Sequence, residues 1–190
     1  MNLIVQADFA ILNFILEYIK NPILDKIMLL FTHMGNAGLI WIVTAIVFIC
    51  TKKYRKDGIA VGIALLLGFI VCNIIMKNAF ARMRPYNFNS AIELIIAEPT
   101  DFSFPSGHSC SSFAATVTML MVSQKRIGIP AVIIAALIAF SRLYLYVHYP
   151  SDVLAGALVG TLSAFASLKI VSHIPPLKKM QYSSTLRSSQ

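Results

Sequence analysis

Three polar clusters interrupt an otherwise apolar chain, and each lies at the end of a hydrophobic run. They occupy residues 77–85, 105–108 and 141–152. Their charged and polar members include Lys77, Arg84, Ser106, Gly107, His108, Arg142, His148 and Asp152. Cations, imidazoles, a carboxylate and a helix-start turn are the groups needed to hold a phosphate and transfer it to a side chain. Because ionisable groups in or beside membrane spans are costly to bury, these clusters indicate a functional site.

The third cluster makes the most specific prediction of chemistry. His148 and Asp152 are four residues apart, and Pro150 between them suits the first turn of a following helix. At that spacing Asp152 can reach one ring nitrogen of His148 and fix its tautomer, which leaves the other nitrogen free to attack. Arg142, near the end of an apolar run, favours an anionic ligand nearby.

The first two clusters predict anion binding. Lys77 and Arg84 are seven residues apart, two helical turns, so they can point the same way. Ser106 is a favoured N-cap and Gly107 lets a ligand approach the backbone, so free N–H groups at this helix start can bind an anion. Taken singly, each cluster also has an ordinary explanation, as snorkelling cations or a plain capped helix start.

Composition and charge limit the possible ligands. Two histidines and a carboxylate are common zinc ligands, but cations on the same face disfavour a divalent metal and favour a phosphate. We therefore predict a site without metal or cofactor. The formal net charge is +8, yet the basic residues lie in short loops rather than in one stripe, so we expect no nucleic-acid partner.

The elements that must position the clusters are membrane helices. The 190 residues are 57% hydrophobic and 13% charged, a composition typical of membrane proteins. Five apolar runs are candidate spans, over residues 36–51, 58–77, 106–123, 127–147 and 151–171, and the third is short and rich in Ser and Thr. Charged residues divide the first 35 residues, so an interfacial helix and a sixth, broken span both stay open. We predict an all-α integral membrane helical bundle of about six helices, forming one domain over residues 1–174.

The loops predict an orientation. Ten basic residues follow the first, third and fifth spans, and the positive-inside rule makes that face cytoplasmic. They are Lys52, Lys53, Arg55, Lys56, Lys125, Arg126, Lys169, Lys178, Lys179 and Arg187. The polar tail over residues 175–190 is then cytoplasmic, and its composition predicts disorder. All three clusters fall on the other, extracytoplasmic face with Arg82 and the long connection 86–104, whose roles stay open.

The ordered spacings Lys-x6-Arg-Pro, Pro-Ser-Gly-His and Ser-Arg-x5-His-x3-Asp resemble the signature of the type 2 phosphatidic acid phosphatase superfamily. All eleven specified positions are present, namely Lys77, Arg84, Pro85, Pro105, Ser106, Gly107, His108, Ser141, Arg142, His148 and Asp152. Each motif alone is weak, whereas the ordered triple is highly specific.

This resemblance implies a helical bundle that hydrolyses a phosphate ester or anhydride without a metal. His148 would attack phosphorus and form a phosphohistidine, Asp152 would orient its ring, and His108 would protonate the leaving oxygen. The phosphoryl oxygens would be held by Lys77, Arg84, Arg142, Ser106 and the Gly107 amide.

A membrane enzyme with an outward-facing site is expected to act on a lipid phosphate among the surrounding membrane lipids. Small size and an outward site favour undecaprenyl diphosphate, while phosphatidate and phosphatidylglycerol phosphate are alternatives that the resemblance leaves open. A non-enzymatic lipid-phosphate carrier is more distant, because binding alone requires neither a nucleophile nor a proton donor. The sequence leaves the oligomeric state open.

Overall fold

The computed structural model describes residues 3–89, 92–178 and 180–185, and these residues form helices and connections without a strand. The helices are α1 (Leu3–Phe14), α2 (Pro22–Gly35), α3 (Leu39–Cys50), α4 (Arg55–Gly68), α5 (Lys77–Phe80), α6 (Gly107–Val122), α7 (Lys125–Tyr144), α8 (Pro150–His173) and α9 (Pro175–Lys178). Wider π-helical turns extend α1 over Ile15–Ile19 and join α4 to α5 over Phe69–Met76. The predicted all-α fold is confirmed.

The first segment long and apolar enough to cross a membrane, called here the first rod, is broken in its middle. Helices α2 and α3 together form one apolar segment of 29 residues, Pro22–Cys50. At the break, Ala37 and Gly38 have left-handed backbone, with φ of 52° and 67°. Irregular backbone at membrane depth is tolerated where it lines a cavity, and both residues do so. The predicted span over residues 36–51 therefore captured only the second half of this rod.

Helix α1 lies against the end of the bundle where the three clusters meet. Leu12 is fully buried against Tyr146 and Tyr149, which precede α8. The Tyr146 hydroxyl donates a hydrogen bond to Asn13 Oδ1 at 3.0 Å. The first 35 residues thus supply a helix that contacts the bundle, α1, and the first half of the segment Pro22–Cys50, while an interfacial position of α1 stays a prediction.

Helix α6 is the central helix, packed against α4, α7 and α8. It has only 16 residues and buries polar side chains of its own. The Trp41 indole on α3 donates to Ser112 Oγ at 2.9 Å, which satisfies one of those groups. On α8, a Cβ at Gly160 would lie 2.3 Å from the Cys110 carbonyl oxygen, so only glycine permits this close approach. This short helix, rich in Ser and Thr, is thus packed among the other helices.

The rods bring the three clusters to one end of the bundle, the site end. Within the described residues, four segments are long and apolar enough to cross a membrane: Pro22–Cys50, Lys52–Phe88, Lys125–Tyr144 and Pro150–His173. The connections over residues 50–55 and 122–125 and the C-terminal segment meet at the other end, called here the opposite end.

Part of the tail for which the sequence predicts disorder contacts the opposite end. The Ser183 amide donates to Asp57 Oδ1 at 3.1 Å, and Lys56 Nζ donates to the Met180 carbonyl at 2.9 Å. Two of the ten basic residues used to predict orientation, Lys179 and Arg187, lie outside the described residues.

Candidate active site

A cavity of about 1210 Å³ connects the three clusters with an apolar branch. Its polar end is lined by Asn36, Asn73, Lys77, Arg84, Asp101, Gly107, His108, Arg142 and His148. The apolar branch is an open groove along α3 and α4, lined by mostly exposed side chains: Ile42, Ile46, Ile49, Leu65, Leu66 and Phe69. The fold therefore unites residues that are far apart in the sequence in one site with a polar head and an apolar extension.

The two ring nitrogens of His148 face different partners. Nδ1 lies 3.4 Å from Asp152 Oδ2 and 3.5 Å from Ser103 Oγ. Nε2 lies 3.2 Å from Nη1 of Arg84. Because a guanidinium can only donate, Nε2 must accept, and the ring proton is assigned to Nδ1, facing the carboxylate. The lone pair of Nε2 therefore lies on the cavity side, where it accepts from Arg84, and its attack on a substrate stays a prediction.

Asp152 is fixed by several donors at the start of α8 and is fully buried. Its Oδ2 accepts hydrogen bonds from the Tyr149 amide at 3.0 Å and from the Ser103 hydroxyl. Its Oδ1 accepts from Arg82 Nη1 at 2.6 Å. The Asp152 carbonyl accepts from the Ser106 amide at 3.0 Å, which ties the start of α8 to the start of α6. The carboxylate thus presents a fixed oxygen to His148.

Two of the predicted phosphate-binding cations converge on one carboxylate. Lys77 Nζ donates to Asp101 Oδ2, and Arg84 Nη2 donates to Asp101 Oδ1 at 2.6 Å. Arg84 Nε also donates to the Asp101 carbonyl at 2.9 Å. Burial alone would raise the pKa of the Asp101 carboxyl, but the two cations lower it to about 2. The position between Lys77 and Arg84 therefore accommodates a permanent anion.

The same cations keep His148 neutral. Burial, together with the positive charges of Arg84, Arg142 and Lys77, holds the pKa of His148 well below its ordinary value. A neutral imidazole with its proton on Nδ1 is the form that can act as a nucleophile.

Thr32 on α2 contacts both Arg142 and His108. The Thr32 hydroxyl accepts a hydrogen bond from Nη1 of Arg142, whose buried Nε has no partner among the described residues. Nε2 of His108 lies 3.2 Å from the Thr32 carbonyl oxygen and 3.1 Å from Asn36 Oδ1. Because a carbonyl only accepts, Nε2 of His108 carries a proton. His108 therefore presents an N–H at the edge of the cavity, and a second proton on Nδ1 would make the ring an acid.

Ser106 and Gly107 begin α6, as the sequence predicts, but they are used differently. Ser106 is fully buried, and its hydroxyl accepts from the Ser109 amide at 3.4 Å and the Ser109 hydroxyl at 3.1 Å. Gly107 lines the cavity, and a Cβ there would lie 2.8 Å from Asn73 Oδ1, so any other residue would require the Asn73 side chain to move. Ser106 acts as a helix cap in this geometry, and its contact with a phosphate stays a prediction.

Sequence reasoning missed several polar residues of the site, among them Thr32, Asn36, Asn73, Asp101 and Ser103. Asp101 and Ser103 lie four and two residues before Pro105. An acidic residue and a hydroxyl this close to the second cluster could have indicated that they belong to the site. Thr32 and Asn36 carry no motif, and they enter the site only because the first rod breaks beside it.

The described residues contain no group of three His, Cys, Asp or Glu side chains placed to hold a metal ion. Independence from metals stays a prediction that depends on the cations around the cavity and that activity in the presence of a chelator would test.

Comparison with known proteins places this geometry in a family. The PAP2 superfamily pattern matches residues 57–175. An undecaprenyl-diphosphatase from Sulfolobus acidocaldarius is 34% identical over 167 residues, which cover 88% of this chain and 80% of that protein. The undecaprenyl-diphosphatase BcrC of Bacillus subtilis is 30% identical over 156 residues, which cover 82% of this chain and 79% of that protein.

A solved structure has the same fold. The crystal structure of a PAP2-type phosphatidylglycerolphosphate phosphatase from Bacillus subtilis aligns with a TM-score of 0.72 and 28% identity, covering 92% of this chain and 89% of the other. The family match covers more than half of the chain and includes every residue of the three clusters. The chain therefore belongs to the PAP2 superfamily, and it is a multi-pass membrane lipid phosphatase of the PAP2 type.

Proposed function

We propose that this phosphatase hydrolyses undecaprenyl diphosphate at the extracytoplasmic face, through a phosphohistidine formed on His148. The geometry of His148 carries the mechanism. Its Nδ1 faces the carboxylate of Asp152 at 3.4 Å, while its Nε2 faces the cavity beside Arg84. That arrangement supplies an oriented, neutral nucleophile next to a cation that can bind the group under attack.

The first half-reaction transfers the terminal phosphoryl group to the histidine. The Nε2 lone pair of His148 forms a bond to phosphorus as the bond from phosphorus to the bridging oxygen breaks. The leaving oxygen takes the proton from Nε2 of His108, which enters this step as the doubly protonated imidazolium and leaves it as the neutral imidazole. Asp152 offsets the positive charge that develops on the phosphorylated ring. Charge on the phosphoryl oxygens is opposed by Lys77, Arg84 and Arg142.

The second half-reaction releases inorganic phosphate. A water molecule attacks phosphorus, and Nε2 of His108, now without its proton, accepts one from that water. The phosphorus–nitrogen bond breaks, so His148 regains its lone pair and both histidines return to their starting protonation states. In this cycle the phosphoryl group must compete with the Asp101 carboxylate for Lys77 and Arg84, because both cations donate to that carboxylate.

The apolar branch of the cavity supports a lipid with a single chain. It follows α3 and α4 from the polar end as far as Ile49 and Gly62. A branch between two helices fits one polyprenyl chain more readily than the two acyl chains of a glycerolipid. Two relatives are named undecaprenyl-diphosphatases, whereas the structural relative is named a phosphatidylglycerolphosphate phosphatase, so the comparisons allow either class of lipid.

The substrate is tested by comparing kcat/KM in one detergent for undecaprenyl diphosphate, phosphatidate and phosphatidylglycerol phosphate, with EDTA present. We expect the highest value for the diphosphate. A higher value for either glycerolipid would overturn the choice of substrate, and activity restored only by a divalent metal would overturn the metal-independent mechanism. Movement of labelled lipid without phosphate release would indicate a carrier instead.

The nucleophile is tested by His148→Ala. Without the Nε2 lone pair no phosphohistidine can form, so we expect phosphate release to fall by about 10³-fold or more. Quenched wild-type reactions with ³²P-labelled substrate should contain an acid-labile phosphoprotein that the variant lacks. Turnover by His148→Ala at the wild-type rate would rule out the assigned nucleophile.

Sidedness is tested by labelling single cysteines in intact cells, after Cys50, the exposed native thiol, is replaced. The basic residues at the opposite end support a cytoplasmic location for that end. A cysteine at Asn89, at the site end, should react with a membrane-impermeant maleimide, and one at Arg55 should not. The reverse pattern would place the site in the cytoplasm.

A further inference from the structure

Arg82 lies behind Asp152 and does not line the cavity. Its Nη1 donates to Asp152 Oδ1 at 2.6 Å and to Ser151 Oγ at 2.7 Å, and its Nη2 donates to Asp8 Oδ2 at 2.8 Å. The guanidinium also stacks on the Tyr149 ring, 3.7 Å from the ring centroid. Arg82, which lies between Lys77 and Arg84 in the first cluster, is therefore bound by protein groups and does not point toward a phosphate in the cavity.

Asp8 brings α1 into the same network. Its carboxylate is almost fully buried and accepts from the Ser151 amide at 2.9 Å and the Ser151 hydroxyl at 2.6 Å, besides Arg82. Ser151 lies in the first turn of α8, directly before Asp152. A helix near the N-terminus thus contacts the segment that carries the carboxylate of the His148–Asp152 pair.

The two oxygens of Asp152 have separate partners. Oδ2 faces His148, while Oδ1 faces Arg82. Holding Oδ1 restricts rotation of the carboxylate and so keeps Oδ2 in line with the imidazole. A cation this close also weakens the attraction of Asp152 for a positive charge on His148, and the second carboxylate, Asp8, offsets that loss because it faces Arg82 from the other side. The three charged groups together retain one negative charge.

We propose that Arg82 and Asp8 are positioning residues for catalysis, which fix Asp152 against His148 and set the negative charge behind it. Helix α1 is then part of the catalytic arrangement and not only an anchor. The inference rests on the proposed role of His148 as nucleophile.

The acid limb of the pH profile, the fall of kcat/KM at low pH, depends on the charges around His148. Several elements carry those charges. The charged or titratable groups that face it, from the connections as well as from α5, α6, α7 and α8, are Asp152, Arg84, Arg142, Lys77, Asp101 and His108. Arg82 and Asp8 act on it from behind Asp152. Because they have opposite charges, their removal should shift the acid limb in opposite directions, which loss of a merely structural contact would not do.

The test measures kcat, KM and the pH dependence of kcat/KM for Arg82→Gln, Arg82→Lys and Asp8→Asn with the lipid diphosphate. We expect Arg82→Gln to lower kcat by about 100-fold through misplacement of Asp152 and to move the acid limb upward. Arg82→Lys should recover part of that loss, since the charge is kept. Asp8→Asn should lower kcat by about threefold to tenfold with KM nearly unchanged, and should move the acid limb downward by about half a pH unit.

Matched controls lie at the opposite end. Arg55→Gln removes an arginine and Asp57→Asn a buried carboxylate, and neither should move the acid limb. If both Asp8→Asn and Arg82→Lys lose activity only in proportion to folded protein, and Asp8→Asn leaves the acid limb unmoved, the proposal is wrong. These two mild variants decide the question even if Arg82→Gln does not fold. Activity retained by His148→Ala would instead overturn the proposed nucleophile, so the two failures are distinguishable.

Discussion

Two fully buried carboxylates, one at each end of the bundle, are stabilised in different ways. Asp152 at the site end receives a guanidinium nitrogen of Arg82 at 2.6 Å and faces His148. Asp57 at the opposite end receives Ser123 Oγ at 2.8 Å, the Ser183 hydroxyl and the Ser183 amide. A cation accompanies the first, whereas uncharged donors surround the second.

The different partners indicate different roles for the two buried carboxylates. A carboxylate paired with a permanent cation stays charged and can orient and stabilise a neighbouring imidazole. A carboxylate satisfied by hydroxyl and amide donors joins chain segments, here α4, the connection after α6 and the C-terminal segment. Lys56, although next to Asp57 in the sequence, turns to the Met180 carbonyl and the face of Tyr182. We therefore expect removal of the charge of Asp152 to lower the rate of catalysis, and removal of the charge of Asp57 to lower the stability of the fold.

The largest effect is expected from Asp152→Asn. The amide keeps the shape of the carboxylate but lacks its charge, and it can present an N–H to His148 Nδ1, which would favour the wrong tautomer. We expect kcat to fall by about 10³-fold with a smaller change in KM. Phosphate release and binding of vanadate, a phosphate analogue, measure the two effects separately. Wild-type turnover in this variant would show that catalysis does not require the Asp152 carboxylate.

The second prediction concerns pH. In the proposed mechanism free His148 must be neutral to attack, and its pKa lies well below the ordinary 6.5. We therefore expect kcat/KM, corrected for substrate ionisation measured by ³¹P NMR, to stay level as the pH falls through 6.5. The unfolded chain would protonate this histidine in that range while the folded protein does not, so stability should decrease as the pH falls below 6.5. An acid limb at or above 6.5 would show that His148 is not shielded in this way.

The fold was predictable where hydrophobic length and charge decide it. The spans ending near Lys77 and beginning near Ser106, Ile127 and Ser151 agree with the helices, since about 20 apolar residues can satisfy their backbone in a membrane only as a helix. The first rod was not predictable in full. Its break depends on left-handed backbone at Ala37 and Gly38, which is stable only because the surrounding packing fixes it.

The site was predictable where one short segment carries the geometry. The spacing of His148 and Asp152, with a helix start between them, predicted that one ring nitrogen lies near the carboxylate, and the structure shows that this nitrogen is Nδ1. The partners of Arg82 were not predictable, because Asp8 is 74 residues away and Asp152 is 70 residues away along the chain. A cation beside a phosphate motif suggests a phosphate ligand, and only tertiary contacts show that two carboxylates engage it instead.

A smaller effect is expected from Asp101→Asn. Its carboxylate competes with a phosphoryl group for Lys77 and Arg84, so removal of that charge should strengthen vanadate inhibition by about tenfold at unchanged ionic strength. The neighbouring exposed acid provides a control, since Glu98→Gln changes net charge equally without freeing either cation. Weaker inhibition in Asp101→Asn would mean that Asp101 positions the two cations for the ligand rather than competing with it.

The smallest effect on activity is expected from Asp57→Asn, which tests the buried carboxylate at the opposite end. The amide would leave one of the donors from Ser123 and Ser183 without an acceptor in a fully buried position, at a cost of about 1–3 kcal/mol in the free energy of unfolding. Thermal unfolding in detergent should shift to lower temperature, and limited proteolysis should cut the C-terminal segment faster, because Ser183 is held through this carboxylate. The value of kcat/KM should match wild type at temperatures where the variant is folded, since no cation or catalytic histidine depends on Asp57. A loss of kcat without a loss of stability would show that the two ends are coupled and that the division of roles between the two carboxylates is wrong.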